Sequence, residues 1–476
     1  MIFVDNAHLF PANRRKVLDK LEGWVEDRVI EGDNLMLVTF DSALHVIQPF
    51  TRDRWAIIDG VGRIRKMSAL EPMREAQRRQ TMSSISLLAS ASAQNPDLPE
   101  LDTAIGMVRS YVQSAVSDLR HTATAFEKAI RMLAGLPGRK SVLYVSGGLE
   151  QRPGEELYRH LENMFGAAAL RDQSTATGTV VEPAAETVDA DQGTLFRAVS
   201  HAANANRVTL YTLDASGAGG GSMLGADHSA LDVGSAVEGR TGMEAARSFN
   251  LVEPLIALAA DTGGTSIINT DNFDDALTRM AADFDSYYSL GYRTPHGGDG
   301  EYHKIEVRAS RPGLTLRYRT GYVDKPQVER VADRTLSSLL LDLESNPLAV
   351  SVEVGQPERG SRKRYFLPVL VRIPIANLTL LPNGDQREGQ LQIFVVVKDD
   401  EGGISELHQQ AYPLTIEKDQ LATAQKKEIG YLARLELRPG RPVIAVGVWD
   451  EIAGTESFVQ KRALVGQAVA QAGQKR

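Results

Sequence analysis

From residue 1 to about 290, short apolar runs alternate with stretches whose apolar residues recur at helical spacing, the pattern of βαβ units around a largely parallel sheet. Ile2–Asp5 is the first run. Val17, Leu18, Leu21, Trp24 and Val25 then share one face of a helix that Pro11 opens. Leu35–Phe40 and Leu44–Phe50 flank Asp41-Ser42 and read as a hairpin. Asp53–Arg65 is helical, and residues 66–139 read as helical with a break at Asn95-Pro96-Asp97, the long helix from about 99 to 135 ending at the stop signal Gly135-Leu136-Pro137-Gly138. A buried strand at Ser141–Val145, helices at 155–169 and 191–206, and a strand at Val208–Leu213 follow. A helix at 247–261, a strand at Thr265–Ile268 and a helix at 272–285 close the series. Residues 171–190 and the glycine-rich stretch 215–245 are expected to be loops.

The pattern then changes. Tyr287–Arg293, Tyr302–Ala309 and Leu314–Tyr318 are strand-like runs between Gly/Pro turns, expected to extend the sheet as an antiparallel meander over 286–323. A linker with a short helix (Leu336–Leu343) occupies 324–345. Across 346–466, seven alternating runs separated by turn signals suit an immunoglobulin-like sandwich. Residues 467–476 form an Ala/Gln-rich tail expected to fray. The predicted fold class is α/β. A doubly wound, Rossmann-like sheet over 1–323 carries a helical insert at about 66–135, and a C-terminal all-β domain follows.

Composition narrows the function classes. With 53 basic against 61 acidic residues the net charge is -8, which argues against a chain built to wrap nucleic acid. No apolar run approaches the roughly 18 residues a membrane-spanning helix needs. The chain has no cysteine, which removes disulfides, zinc–thiolate sites, iron–sulfur clusters and thiol nucleophiles. Met1-Ile2-Phe3-Val4-Asp5 already reads as a core strand without a leader ahead of it, so further residues upstream are expected in the natural gene.

Several segments carry a resemblance. They are Phe3-Val4-Asp5, the run from Leu133 through Lys140-Ser141-Val142-Leu143-Tyr144-Val145 to Ser146-Gly147-Gly148, Arg152-Pro153-Gly154-Glu155-Glu156-Leu157, Tyr211-Thr212-Leu213-Asp214, and Leu290-Gly291-Tyr292 to Gly321-Tyr322. In this order they resemble the von Willebrand factor type A (vWA)-related domain proteins of the Acidobacteria type. The resemblance implies a divalent-cation site at the carboxyl ends of the strands, built from Asp-x-Ser-x-Ser after the first strand, a threonine from a later loop and an aspartate after the central strand. Asp5 matches the first aspartate. Ala7 and Leu9 stand at the serine positions and Gly147 at the aspartate position, and no threonine can be assigned. One oxygen ligand is too few for magnesium, so the site is expected to be degenerate: no metal ligands and no cofactor, with magnesium or manganese the ions to test.

Other motifs carry less. Gly135-Leu136-Pro137-Gly138-Arg139-Lys140-Ser141 has the residues of a phosphate loop but follows a helix and precedes a strand, the reverse of what aims amides at a phosphate. Ser146 stands where a nucleophile could, without a Gly-x-Ser-x-Gly elbow around it. Arg74, Arg78 and Arg79 form a basic helix face, read as solvated, with a docking surface for an acidic partner as the alternative. No catalytic residue is assigned. The expected function is a non-enzymatic, adhesion-type protein-interaction module, and the resemblance implies a protein partner meeting Asp5, Asn6, His8, Ser146, Gly147 and Asp214. The alternatives are a hydrolase using the same strand-end cleft, or a structural part of a cell-envelope or secreted assembly. Resemblance to exported relatives implies an extracytoplasmic location, with a cytoplasmic one as the alternative.

Overall fold

Continuous apolar runs build the first sheet. β1 (Ile2–Asp5), β4 (Lys140–Ser146) and β5 (Val208–Asp214) are buried almost throughout, as strands covered on both faces must be. With β2 (Leu35–Phe40), β3 (Leu44–Thr51) and β6 (Ser266–Ile267) they form a six-stranded sheet in the order β3-β2-β1-β4-β5-β6. β1 runs parallel to β2 and β4, β5 runs parallel to β6, and β3 closes the edge as the antiparallel arm of the expected hairpin. Strand order reverses between β1 and β4, and the crevice outside the carboxyl ends there is where open α/β sheets bind ligands.

This computed structural model describes the chain except residues 29–32, 95–99, 167–190, 218–235, 271, 286, 293–296, 342–343, 361–363, 401 and 467–476. The loop read at 171–190 and the tail at 467–476 therefore lie outside the described residues. Two compact units divide the chain. The first holds Met1–Ile130, Ser141–Tyr292 and Lys304–Tyr322, and the second Arg131–Lys140, Arg293–His303 and Val323–Arg476.

In the first unit, α1 (Pro11–Arg28), α2 (Arg54–Arg65) and α8 (Phe273–Asp285) cover one face of the sheet. Val17, Leu21, Val61 and Leu277 pack with Val4, Leu37 and Leu143. On the other face Phe126 stacks on Tyr144 with centroids 4.5 Å apart and meets Phe3 at 5.1 Å. Phe126 belongs to the insert, which is two long helices, α3 (Glu71–Gln94) and α4 (Glu100–Met132). Ile85, Leu101, Ile105 and Val108 of the insert share a core with Leu157, Tyr158 and Leu161 of α5 (Glu155–Phe165). Among the described residues of this unit the remaining helices are α6 (Gly193–Ala205) and α7 (Ala236–Thr262). α7 starts before the expected 247. Ala236, Glu238, Met243, Glu244, Ala245 and Ala246 favour helix, and Gly239 and Gly242, at about 1 kcal/mol each, do not stop it.

The expected meander over 286–323 needs correction. Among the described residues it reduces to β7 (Tyr302–Lys304) paired with β8 (Gly321–Val323), a two-stranded sheet of its own. Alternation without a sheet edge to pair with leaves the flanking residues outside any ladder: Tyr288 is 98% exposed and Leu290 75%.

The second unit is mostly antiparallel β. β9 (Ser351–Val354), β10 (Glu358–Arg359), β11 (Tyr365–Pro374) and β15 (Glu428–Leu437) make one sheet. β12 (Leu381–Asn383), β13 (Gln386–Lys398), β14 (His408–Glu417), β16 (Val443–Asp450) and β17 (Thr455–Arg462) make another. Val369, Val371 and Ile373 alternate inward from the first and share one core with Ile393, Val395, Ile444 and Val446 from the second. The linker expected at 324–335 is mostly helix, α9 (Gln327–Leu341), because Val331, Thr335 and Leu339 form a buried stripe at four-residue spacing. Leu339 packs on Val396 and Ala445, and the helix seats where Gly447 lacks a side chain: a Cβ there would stand 2.0 Å from Thr335 Oγ1.

Candidate functional site

The ends of β1 and β4 meet at the switch point. Asp5 is fully buried, and three donors converge on its Oδ2: Tyr144 Oη at 2.5 Å, His8 Nδ1 at 2.8 Å and Ser146 Oγ at 3.1 Å. Burial works against the ionised carboxylate, but His8, Tyr144 and the nearby Arg74 outweigh it and hold Asp5 below its ordinary range. Its Oδ1 is buried with no partner. Asn6 spends its amide N–H on the Ser68 carbonyl at 2.8 Å. Asp214, at the end of β5, accepts from the backbone N–H of Ser216 at 2.8 Å and from its hydroxyl at 2.5 Å. The Ala215 amide donates to the Ser146 carbonyl at 2.8 Å, which fixes β5 beside β4 at this end.

The structure thus joins Asp5, His8 and Ser146 in one hydrogen-bonded group, with Asn6 and Asp214 as local braces. Asp5, Asn6, Ser146, Gly147 and Asp214 are buried, and His8 is partly exposed. Ser146 donates to the same carboxylate that binds the histidine, whereas a Ser–His–Asp relay needs the serine on the imidazole. Gly147 is tied down as well. Its N–H donates to the His8 carbonyl at 3.0 Å, and a Cβ on Gly147 would stand 2.2 Å from that oxygen. This backbone excludes any side chain there, including the aspartate that a vWA-type cation site would need. Gly147→Asp is therefore expected to lower the melting temperature without conferring a response to magnesium; a variant that is both stable and magnesium-responsive would refute this.

Above this floor lies a cleft that the sequence did not disclose. It lies between the insert helices, the loop after β4 and α7, with His8, Gly147 and Gly148 at its base. Arg74, Glu75 and Arg78 come from α3, Tyr111 and Asp118 from α4, Glu150 from the β4–α5 loop and Arg247 from α7. The expected solvated basic face is corrected here. Arg78 is 7% exposed and grips Glu75 with two bonds, 2.6 and 2.9 Å. It also reaches Glu156 at 3.0 Å, and Arg247 joins Glu75 at 3.0 Å. Arg74 pairs with Asp118 at 3.3 Å and donates to the Ala7 carbonyl. Only Arg79 of the three is largely solvated, 57% exposed along its side chain.

Glu150 stands apart. Burial, reinforced by Glu156, pushes its carboxyl up to about 7. A carboxyl raised on folding binds more protons in the native chain than in the unfolded one, so stability falls as pH rises from the ordinary carboxylate range to about 7. Glu150→Gln is expected to stabilise the protein above neutrality by about 2–3 kcal/mol and to leave it unchanged near pH 4. Urea midpoints that differ equally at both ends of that window would contradict it.

Comparison with known proteins adds little. No family model and no curated protein matches the chain. Among solved structures, one titled "X-ray structure of Northeast Structural Genomics Consortium target SoR45" is similar at 17% identity over 24% of this chain and 86% of its own, with a TM-score of 0.17. That overlap supports no argument on fold or activity.

Proposed function

We propose that the first unit is a vWA-like protein-interaction domain whose metal-ion-dependent adhesion site is degenerate, joined to an immunoglobulin-like β-sandwich. In this reading recognition belongs to the cleft above the strand ends, and the buried polar group beneath it is scaffold. The observation that carries the proposal is the convergence of Tyr144, His8 and Ser146 on Asp5 Oδ2, which leaves that carboxylate only Oδ1 to offer a cation, where magnesium needs near-octahedral oxygen coordination. Ala7 and Leu9, both fully buried, support it by offering no oxygen from the positions where the family has serines. The strand order with its switch point between β1 and β4 agrees with a doubly wound domain.

The test is a photo-crosslinking amino acid at Gln77, an exposed residue of the cleft lining, in cells of the source organism. A discrete protein adduct is expected from Gln77, absent when the crosslinker replaces exposed Asp59 on α2, and undiminished by a chelator of divalent ions. Loss of the adduct on chelation would overturn the degenerate-site reading, and identical adducts from both positions would overturn the cleft.

A further inference from the structure

Four carboxylates and three guanidiniums line the cleft, and they do not cancel. Its three guanidiniums are already engaged: Arg78 and Arg247 by Glu75 and Glu156, and Arg74 by Asp118. Glu71 and Glu150 are left over. Among the described residues neither carboxylate forms a hydrogen bond or an ion pair, and burial raises both above the ordinary carboxylate range. A second observation is independent of charge. Tyr111 is only 9% exposed, lines the cleft, has no hydrogen-bond partner, and sets its phenol beside Glu150, Glu156 and the two guanidiniums. Its hydroxyl keeps exposure to the cleft, where it can accept from a bound donor. Phe10, Leu119 and Leu251 add apolar surface to the lining.

We propose that this cleft binds a primary alkylammonium, with Glu71, Glu150 and the Tyr111 hydroxyl as acceptors for its N–H groups and Phe10, Leu119 and Leu251 packing on its carbon stem. An ammonium presents three compact donors on a flexible stem, which suits three separate acceptors better than the planar fork of a guanidinium. An anion is disfavoured, because each arginine that would greet it is spent on a carboxylate. The same chemistry could arrive as a lysine side chain of a polypeptide or as a free amine. The lysine source deepens the interaction reading above and rests on it, whereas the cation site does not.

Calorimetric titration of the full chain at a pH above 7 tests this, using pentylamine, Nα-acetyl-lysine methylamide, its Nε-acetylated counterpart and inorganic phosphate. Pentylamine and the lysine derivative are expected to bind, and the Nε-acetylated form, neutral at its tip, is not. Glu150→Gln and Glu71→Gln should each weaken binding about tenfold or more, the worth of one hydrogen bond to a charged group. Tyr111→Phe should weaken it several-fold less. No heat with pentylamine, equal binding of the acetylated form, undiminished affinity in Glu150→Gln, or a preference for phosphate would overturn the proposal. If pentylamine binds and the lysine derivative does not, the site takes free amines. If the Gln77 adduct forms and saturating pentylamine leaves it intact, the partner reading stands without the cation site.

Discussion

Replacing Glu75 with alanine is expected to destabilise the first unit by about 3–5 kcal/mol, the usual consequence of stripping one partner from a buried ionic group. Glu75 is 4% exposed and receives Arg78 through both carboxylate oxygens and Arg247 through one. Removing it leaves two buried guanidiniums to share Glu156, which already serves both. Burial alone would raise the Glu75 carboxyl, yet its arginine partners hold it below the ordinary range, so the native state gains from ionising it. The group also ties α3, α5 and α7 together around the cleft, so amide exchange in all three helices should speed up together with the loss in urea midpoint. Pairing the change with Arg78→Met should return part of the loss, since apolar replacement of a whole buried ion pair is often near neutral. A loss under about 1 kcal/mol, the range of surface ion pairs, would show that solvent reaches this group freely.

The contrast between that group and its sequence explains what could be read in advance. Helices and strands of the first unit follow from hydrophobic period, and the β2–β3 hairpin from Asp41-Ser42 between two apolar runs. Arg74 and Arg78 look like a solvated stripe because much of what covers them is not local: Arg78 bonds nearby Glu75, but Glu156 lies 78 residues after Arg78, and Arg247 172 residues after Glu75. Periodicity says which face of a helix is polar, not whether another polar face covers it. The same limit hid the cleft, whose acceptors come from three separate elements. Asp5, Ser146 and Asp214 were legible through the resemblance, which implies a site at the strand ends, and not through spacing. Their burial was not, since it depends on insert helices lying across the crevice, as the bond from Arg74 to the Ala7 carbonyl shows. At 286–323 the error ran the other way: alternation signals extended backbone but does not supply the neighbouring edge that makes a sheet.

Asp5→Ala is expected to cost about 3–4 kcal/mol, because it strands several buried donors at once. Tyr144 Oη and Ser146 Oγ are fully buried and lose the acceptor they share, and His8 loses the carboxylate that orients its ring. The displaced contacts lie on the aromatic layer where Tyr144 stacks on Phe126, so the loss should reach α4 as well as the strand ends. Asp5→Asn separates charge from shape. It keeps one acceptor oxygen but removes the negative charge that His8 and Arg74 favour, so its cost should be smaller and should depend on pH. The sign is fixed by linkage. A carboxyl depressed on folding contributes stability that is present in full above its unfolded value, about 4, and fades as pH falls through its lower native value. The gap between the native chain and Asp5→Asn should therefore be widest at neutral pH and narrow below about pH 4. A gap that stays constant across that range would mean that Asp5 is protonated in the native protein and donates one of these hydrogen bonds itself, and the scaffold reading of the strand ends would fall with it.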